Sequence, residues 1–339
     1  MISPMRKKKF VWYFAFLVIA SGTLVSCGSS SDSELIGNSV KLSDFEGVSR
    51  SDAVGFTIGD RGYVGTGYDG TDRLTDFWAY DPVKNTWIQC ADFPGEGRNG
   101  AVGFAVGDKG YVGTGYDGIE KLKDFYQYDP STNTWTQKAD FPGTARYGAI
   151  GFGIDSLGYL GTGYDGNYLK DMYAYNPTTD TWKHVTSVGG SKRRDAVAFV
   201  INGKAYVGTG VDNGIYEDDF WEYDPATDTW TEKNRLSDAT AQSFDDDYAM
   251  TGSNRVAFAI GDRGFVATGG QGVAGTDIWE YNSSTDLWEQ IHDFEGSGRT
   301  EAVGFAIGNV GYITTGRSSS YYFDDLWGIH PDDTYNEYD

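Results

Sequence analysis

GDKGYVGTGYDG, from Gly107 to Gly118, reproduces GDRGYVGTGYDG, from Gly59 to Gly70, with one Lys-for-Arg exchange at a distance of 48 residues. Near-identity over a whole segment at such a distance is internal duplication, and a period in the forties signals a repeat architecture. Outward from this segment, the phenylalanine that precedes each copy recurs as Phe56, Phe104, Phe152, Phe199, Phe258 and Phe305, at intervals of 48, 48, 47, 59 and 47. Six units follow from these markers. Each holds four short runs rich in β-branched and aromatic residues, parted by Gly, Pro, Asn or Asp, as in Ala101 to Val106, Gly110 to Thr114, Asp124 to Tyr128 and Trp135 to Lys138. Such runs read as strands. No helical periodicity interrupts them, which excludes βαβ folds. Four strands per unit make a propeller blade, so the expected fold is all-β, a six-bladed β-propeller.

Five units place Tyr and Trp seven residues apart: Tyr80 and Trp87, Tyr128 and Trp135, Tyr175 and Trp182, Tyr223 and Trp230, Tyr281 and Trp288. With a glycine pair ending the second strand, this pattern resembles the kelch repeat. The glycines depart from it, because Gly269-Gly270 alone is a true doublet and the other units read Thr-Gly, as in Thr66-Gly67. The sixth unit lacks its tryptophan and runs out of patterned chain near Pro331. Ser39 to Phe45 aligns with the fourth-strand region of another unit, so the first strand is expected to complete the last blade and hide the sheet edges. The propeller is expected over residues 39–331, with a fraying acidic tail over 332–339.

Arg6 to Lys9 form a positive n-region, and Phe10 to Ala20 is an apolar stretch well short of the ~20 residues needed to span a bilayer. Leu24, Val25, Ser26 and Cys27 then resemble a bacterial lipobox. That resemblance implies a lipoprotein signal peptide over 1–26, acylation of Cys27, a flexible tether over 27–38, and a lipid-anchored protein of the cell envelope, at the outer membrane or cell surface. Four of the 27 basic residues and none of the 49 acidic ones precede Cys27, so the chain from there on has a net charge of −26. Nucleic acid is a poor partner for such a field. Cys90 is the one other cysteine, so no disulfide framework is expected.

In antiparallel blades the start of the first strand and the start of the third share one face, the mouth. Six positions before the markers stand Arg50, Arg98, Arg146, Arg193 and Arg299, with Gly252 as the exception, and the third strands open with Asp76, Asp124, Asp171, Asp219, Asp277 and Asp325. A ring of arginines at the mouth suits an anionic ligand, and the same pairs have a second reading as fasteners between neighbouring blades. The residues five before the markers (Ser51, Asn99, Tyr147, Arg194, Ser253, Thr300) share no chemistry, which frees them for recognition. The candidate ligand-binding set is Arg98, Arg146, Tyr147, Tyr168, Arg193, Arg194, Asp212, Tyr216, Arg299 and Glu301, richest in the third and fourth units. The extra residues around Asp238 to Thr251, with Asp245 to Asp247, are expected as a loop at the mouth that could fold across it.

Kelch propellers include galactose oxidase, a copper enzyme, and a six-bladed sialic acid mutarotase. The copper site has no counterpart in Cys90, His184, His292 and His330, which are placed away from the axis, and no metal or cofactor is expected. The sequence is read as a binding protein for a glycan or protein ligand rather than an enzyme. A mutarotase-like activity using a carboxylate such as Glu301, Asp52 or Asp195 with arginines, and a protein-interaction platform, are the alternatives.

Overall fold

The computed structural model describes residues 36–237 and 250–338. The leader, Cys27, most of the expected tether and Asp245 to Asp247 lie outside the described residues. Blade 1 consists of Val54–Ile58, Arg61–Gly65, Phe77–Asp81 and Thr86–Gln89, each strand antiparallel to the next. Blades 2 to 5 repeat this order, beginning with Val102–Val106, Ile150–Ile154, Val197–Ile201 and Val256–Ile260. In blade 6, Val303–Ile307, Val310–Thr314 and Leu326–Thr334 are completed by Ile36–Lys41 from the other end of the chain. The first strands of successive blades lie side by side, and the first strand of blade 6 meets that of blade 1, closing a ring of six.

The last blade departs from the expected bounds. Its third strand continues past Pro331 to Thr334, and the N-terminal strand starts at Ile36 rather than Ser39. The first part of the expected tail is therefore paired, and Arg263 binds Asp332 at 2.8 Å while His292 stacks on Tyr335 at 3.8 Å. Pro331 is tolerated because its missing N–H costs no ladder bond where the strand bulges between Ile36 and Asn38.

The marker phenylalanines explain the repeated glycines. Phe56 of blade 1 lies against Gly110 of blade 2, where a Cβ would stand 2.4 Å from its ring. Phe104 meets Gly158, Phe199 meets Gly264, Phe258 meets Gly311, and Phe305 closes the circle on Gly62. In blades 2, 3 and 4 the Tyr and Trp clamp the incoming linker. Tyr128 donates to Asn133 Oδ1 at 2.8 Å, the same oxygen accepts the Ala91 N–H, and the Trp135 indole donates to Ala91 O at 2.9 Å. Apolar burial across each blade gap, at roughly 25 cal/mol per Å² removed from water, supplies the main stabilisation.

Candidate functional site

The mouth arginines are structural. Arg98 is fully buried; its Nη1 and Nη2 donate to Asp124 Oδ1 and Oδ2 at 2.6 and 2.8 Å, Nη1 also donates to Thr114 O, and Nε donates to Glu96 O. The guanidinium also lies 4.6 Å from the Phe93 ring centre, and Phe93 packs on Trp135 of blade 2. Arg50, Arg146 and Arg299 repeat this arrangement with Asp76, Asp171 and Asp325, and Arg193 meets Asp219 through Nη2 alone. Arg98, Arg146, Arg193 and Arg299 are thus corrected as ligand-facing groups: an aspartate and a carbonyl from their own blade occupy their donors. Each pair ties the linker from one blade to the third strand of the next.

Blade 5 solves the same problem differently. Arg255, three residues before its marker, donates to Thr268 O at 2.8 Å and Asp277 Oδ2 at 2.9 Å. The residue equivalent to Thr66-Gly67 is Thr268-Gly269, both left-handed, and a Cβ on Gly269 would stand 2.5 Å from Arg255 Cγ. The apparent doublet Gly269-Gly270 therefore reflects the relocated arginine, with Gly270 in the place that Tyr68 holds in blade 1.

Around the axis, one residue from each blade joins a closed backbone circuit. Gly100 N donates to Asp52 O, Gly148 N to Gly100 O, Asp195 N to Gly148 O, Asn254 N to Asp195 O, Glu301 N to Asn254 O and Asp52 N to Glu301 O, at 2.8 to 3.1 Å. All six are left-handed, with φ between 55° and 62°. The two glycines leave room for their neighbours' carboxylates: a Cβ on Gly148 would stand 2.3 Å from Asp195 Oδ1.

Asp52, Asp195 and Glu301 thereby converge at the base of the mouth. Burial first, then the charges of Glu301 and Asp195, pushes Asp52 up to about 7, against a hydrogen bond from Asn99. Burial pushes Asp195 up to about 6, against the pull of Arg194. Glu301 receives Arg317 Nε and Nη2 at 2.6 and 2.8 Å and the Ser51 hydroxyl at 2.8 Å. Among the described residues no group of three or more His, Cys, Asp or Glu side chains could hold a metal ion.

Above this base opens a cavity of ≈ 620 Å³ lined by Ser51, Asp52, Tyr68, Arg73, Asn99, Tyr116, Ile119, Lys121, Tyr147, Tyr164, Glu301, Arg317 and Tyr322. It lies over blades 6, 1, 2 and 3. Of the residues expected from sequence, Tyr147 and Glu301 line it. Arg194 borders it, donating to Tyr147 OH at 3.0 Å and lying over the rings of Tyr147, Tyr164 and Tyr168. Asp212 and Tyr216 stand apart on the hairpin of Val211–Asp212 and Ile215–Tyr216 in blade 4. Tyr68, Tyr116 and Arg317 stand on turns that the sequence placed at the mouth but outside the candidate set, and Arg73 and Lys121 were not singled out. A signal existed: Arg73 and Lys121 follow Tyr68 and Tyr116 by five residues and pair with them, as Tyr168 pairs with Tyr164 after four in blade 3.

The comparisons agree with this architecture. The kelch motif family matches residues 63–94, 104–142, 163–189 and 192–237, which span the Tyr and Trp pairs of blades 1 to 4. The chain is a kelch-repeat β-propeller. The solved structure of YjhT superposes on this kelch propeller with a TM-score of 0.70 at 18% identity, covering 84% of this chain and 96% of that one. In all, 880 solved chains match, so the fold alone selects no activity. No curated protein matches the sequence.

Proposed function

We propose that this kelch propeller is an envelope-anchored carbohydrate-binding protein whose site is the cavity over blades 6, 1, 2 and 3. The observation that carries the reading is the cavity itself. It is concave, within the roughly 300–1,000 Å³ that small ligands occupy, and walled by Tyr68, Tyr116, Tyr147, Tyr164 and Tyr322 around a polar base. Tyrosine faces pack on the C–H faces of a sugar ring, while Ser51, Asn99, Asp52 and Glu301 suit its hydroxyls as donors and acceptors. A protein partner would favour a broader, flatter surface than this bowl. Anchoring rests on the lipobox-like segment ending at Cys27.

The second reading, acid–base chemistry on a bound sugar, is favoured by one feature. Asp52, held near 7, is poised to accept or donate a proton at neutral pH, and Glu301 with Arg317 stands beside it. A glycan array probed with the purified full-length protein tests the first reading, with Tyr147→Ala expected to lower any signal at least about tenfold, the usual cost of losing a stacked aromatic. Absence of any glycan signal from folded protein would sink it. NMR of the bound glycan then decides the second: anomer exchange accelerated by wild type and not by Asp52→Asn makes the protein an enzyme, and exchange at the buffer rate leaves it a binder.

A further inference from the structure

We infer that Arg73 and Lys121 form an anion-accepting subsite on one wall of the cavity, so that the saccharide taken there carries a carboxylate or a sulfate. The inference rests on the carbohydrate reading and adds the charge of the ligand to it.

Three features of Arg73 point to this role. Its guanidinium lies over two aromatic rings, 4.9 Å from the centre of Tyr68 and 5.0 Å from that of Tyr116. Its Nε donates to Asn99 Oδ1 at 2.8 Å, and Asn99 in turn donates to Asp52, so the head group is tethered through its inner edge. Its Nη1 and Nη2 have no hydrogen-bonding partner among the described residues, and no carboxylate lies within ion-pair distance. A guanidinium packed on two rings and tethered through one edge has less rotamer freedom left to lose, so it presents its outer fork at reduced cost of ordering.

The turn of blade 2 makes room for the head group. Gly118, with φ of 105°, stands where a Cβ would come 2.6 Å from Arg73 Nη1, so the turn of blade 2 admits the arginine because it carries no side chain there. Asp117, the acid on the same turn, accepts the N–H groups of Ile119 and Glu120 at 2.7 Å with its Oδ1, so that oxygen is engaged by the loop. Asp52 and Glu301 are likewise engaged, by Asn99 on one side and by Arg317 and Ser51 on the other.

Lys121 is the counterpart of Arg73 one blade on, lines the same cavity, and lies 5.9 Å from the Tyr164 ring centre with no ion pair among the described residues. Many cations of this strongly acidic chain meet a carboxylate even on exposed surface, as in Arg61 with Asp81, Lys204 with Glu222 and Arg263 with Asp332. Arg73 and Lys121 instead share one cavity wall without an ion pair, the charge of Arg73 being felt at longer range by Asp117. An incoming carboxylate or sulfate would gain charge-assisted hydrogen bonds from the Arg73 fork, in a recess where screening is weaker than on open surface.

The test uses the purified full-length protein on an array that pairs each neutral glycan with its uronate-bearing and sulfated counterparts. Wild type is expected to favour the acidic member at least about tenfold, a ratio typical of a charged hydrogen bond. Arg73→Gln and Lys121→Gln should bring the ratio of acidic to neutral signal toward one, and Arg73→Lys should restore part of it. The uronate and sulfate arms separate the two anions. Equal binding of neutral and acidic partners by wild type, or a ratio unchanged in Arg73→Gln, overturns the subsite and leaves the carbohydrate reading standing. If no glycan binds, thermal melts in sodium sulfate against sodium chloride at equal ionic strength still decide the subsite. A sulfate-dependent rise in Tm larger in wild type than in Arg73→Gln supports it, and an equal rise in the two proteins, the general stabilisation by an excluded anion, refutes it.

Discussion

Asp52 sits at a position where geometry and charge conflict. Its φ of 57° lies in the left-handed region, which the backbone circuit around the axis imposes on all six equivalent residues. Two of the six are glycine and one is Asn254, residue types suited to that conformation, whereas Asp52, Asp195 and Glu301 bring three carboxyl groups to one small space. Burial and the other two acids raise Asp52 to about 7, so the folded state holds a proton that the unfolded chain releases near 4. The contribution of this group is therefore present below about pH 4 and lost as pH rises to about 7. Asp52→Asn removes the charge, keeps the shape and tolerates the backbone. Its Tm should match wild type near pH 4 and exceed it by about 3 °C at pH 8, with the gain growing between those values. Melts showing an equal gain at every pH would mean that the carboxyl cluster carries no strain of charge.

The Arg and Asp pair is the unit that makes a linker and a blade into one element. Thr114 is left-handed at φ of 59°, which turns its carbonyl onto Arg98, and the guanidinium packs against Phe93. Because the arginine is fully buried, removing it strands Asp124 with its positive partner gone. Arg98→Met should lose about 3 kcal/mol in urea unfolding, and adding Asp124→Asn should restore part of the loss. A single variant as stable as wild type would return Arg98 to the list of ligand-facing groups. The recurrence of both residues was plain in the sequence, as was their placement at one end of each blade. Their closure on each other was not, since it depends on the linker before strand one folding across the end of the sheet to the start of strand three. Blade 5 shows the limit in the other direction: Gly252 reads as a missing arginine, yet Arg255 reaches the same aspartate from three residues away because Gly269 clears its path.

At the scale of the molecule, strand Ile36–Lys41 joins the two ends of the chain in one sheet and the backbone circuit joins the six blades at the axis. The ring lets a cavity form off-centre, over four blades, with walls drawn from residues as far apart in sequence as Ser51 and Tyr322. Where such a molecule resides is a property of residues before the propeller. If Cys27 carries the acyl chains proposed for it, Cys27→Ala expressed in a bacterium should move from the membrane to the soluble fraction and lose labelling by a fatty-acid analogue; unchanged fractionation and labelling would refute the anchor. The blade number, the closing strand and the end of the disc to which Tyr147 and Glu301 belong were all legible from spacing, because a repeat imposes one strand order and one polarity on every unit. Which cations stay free was settled in three dimensions. Arg98 and Arg73 are the same residue type at the same face, and what separates them is whether an aspartate of the same blade or only two tyrosine rings and an asparagine lie within reach once the sheets have packed.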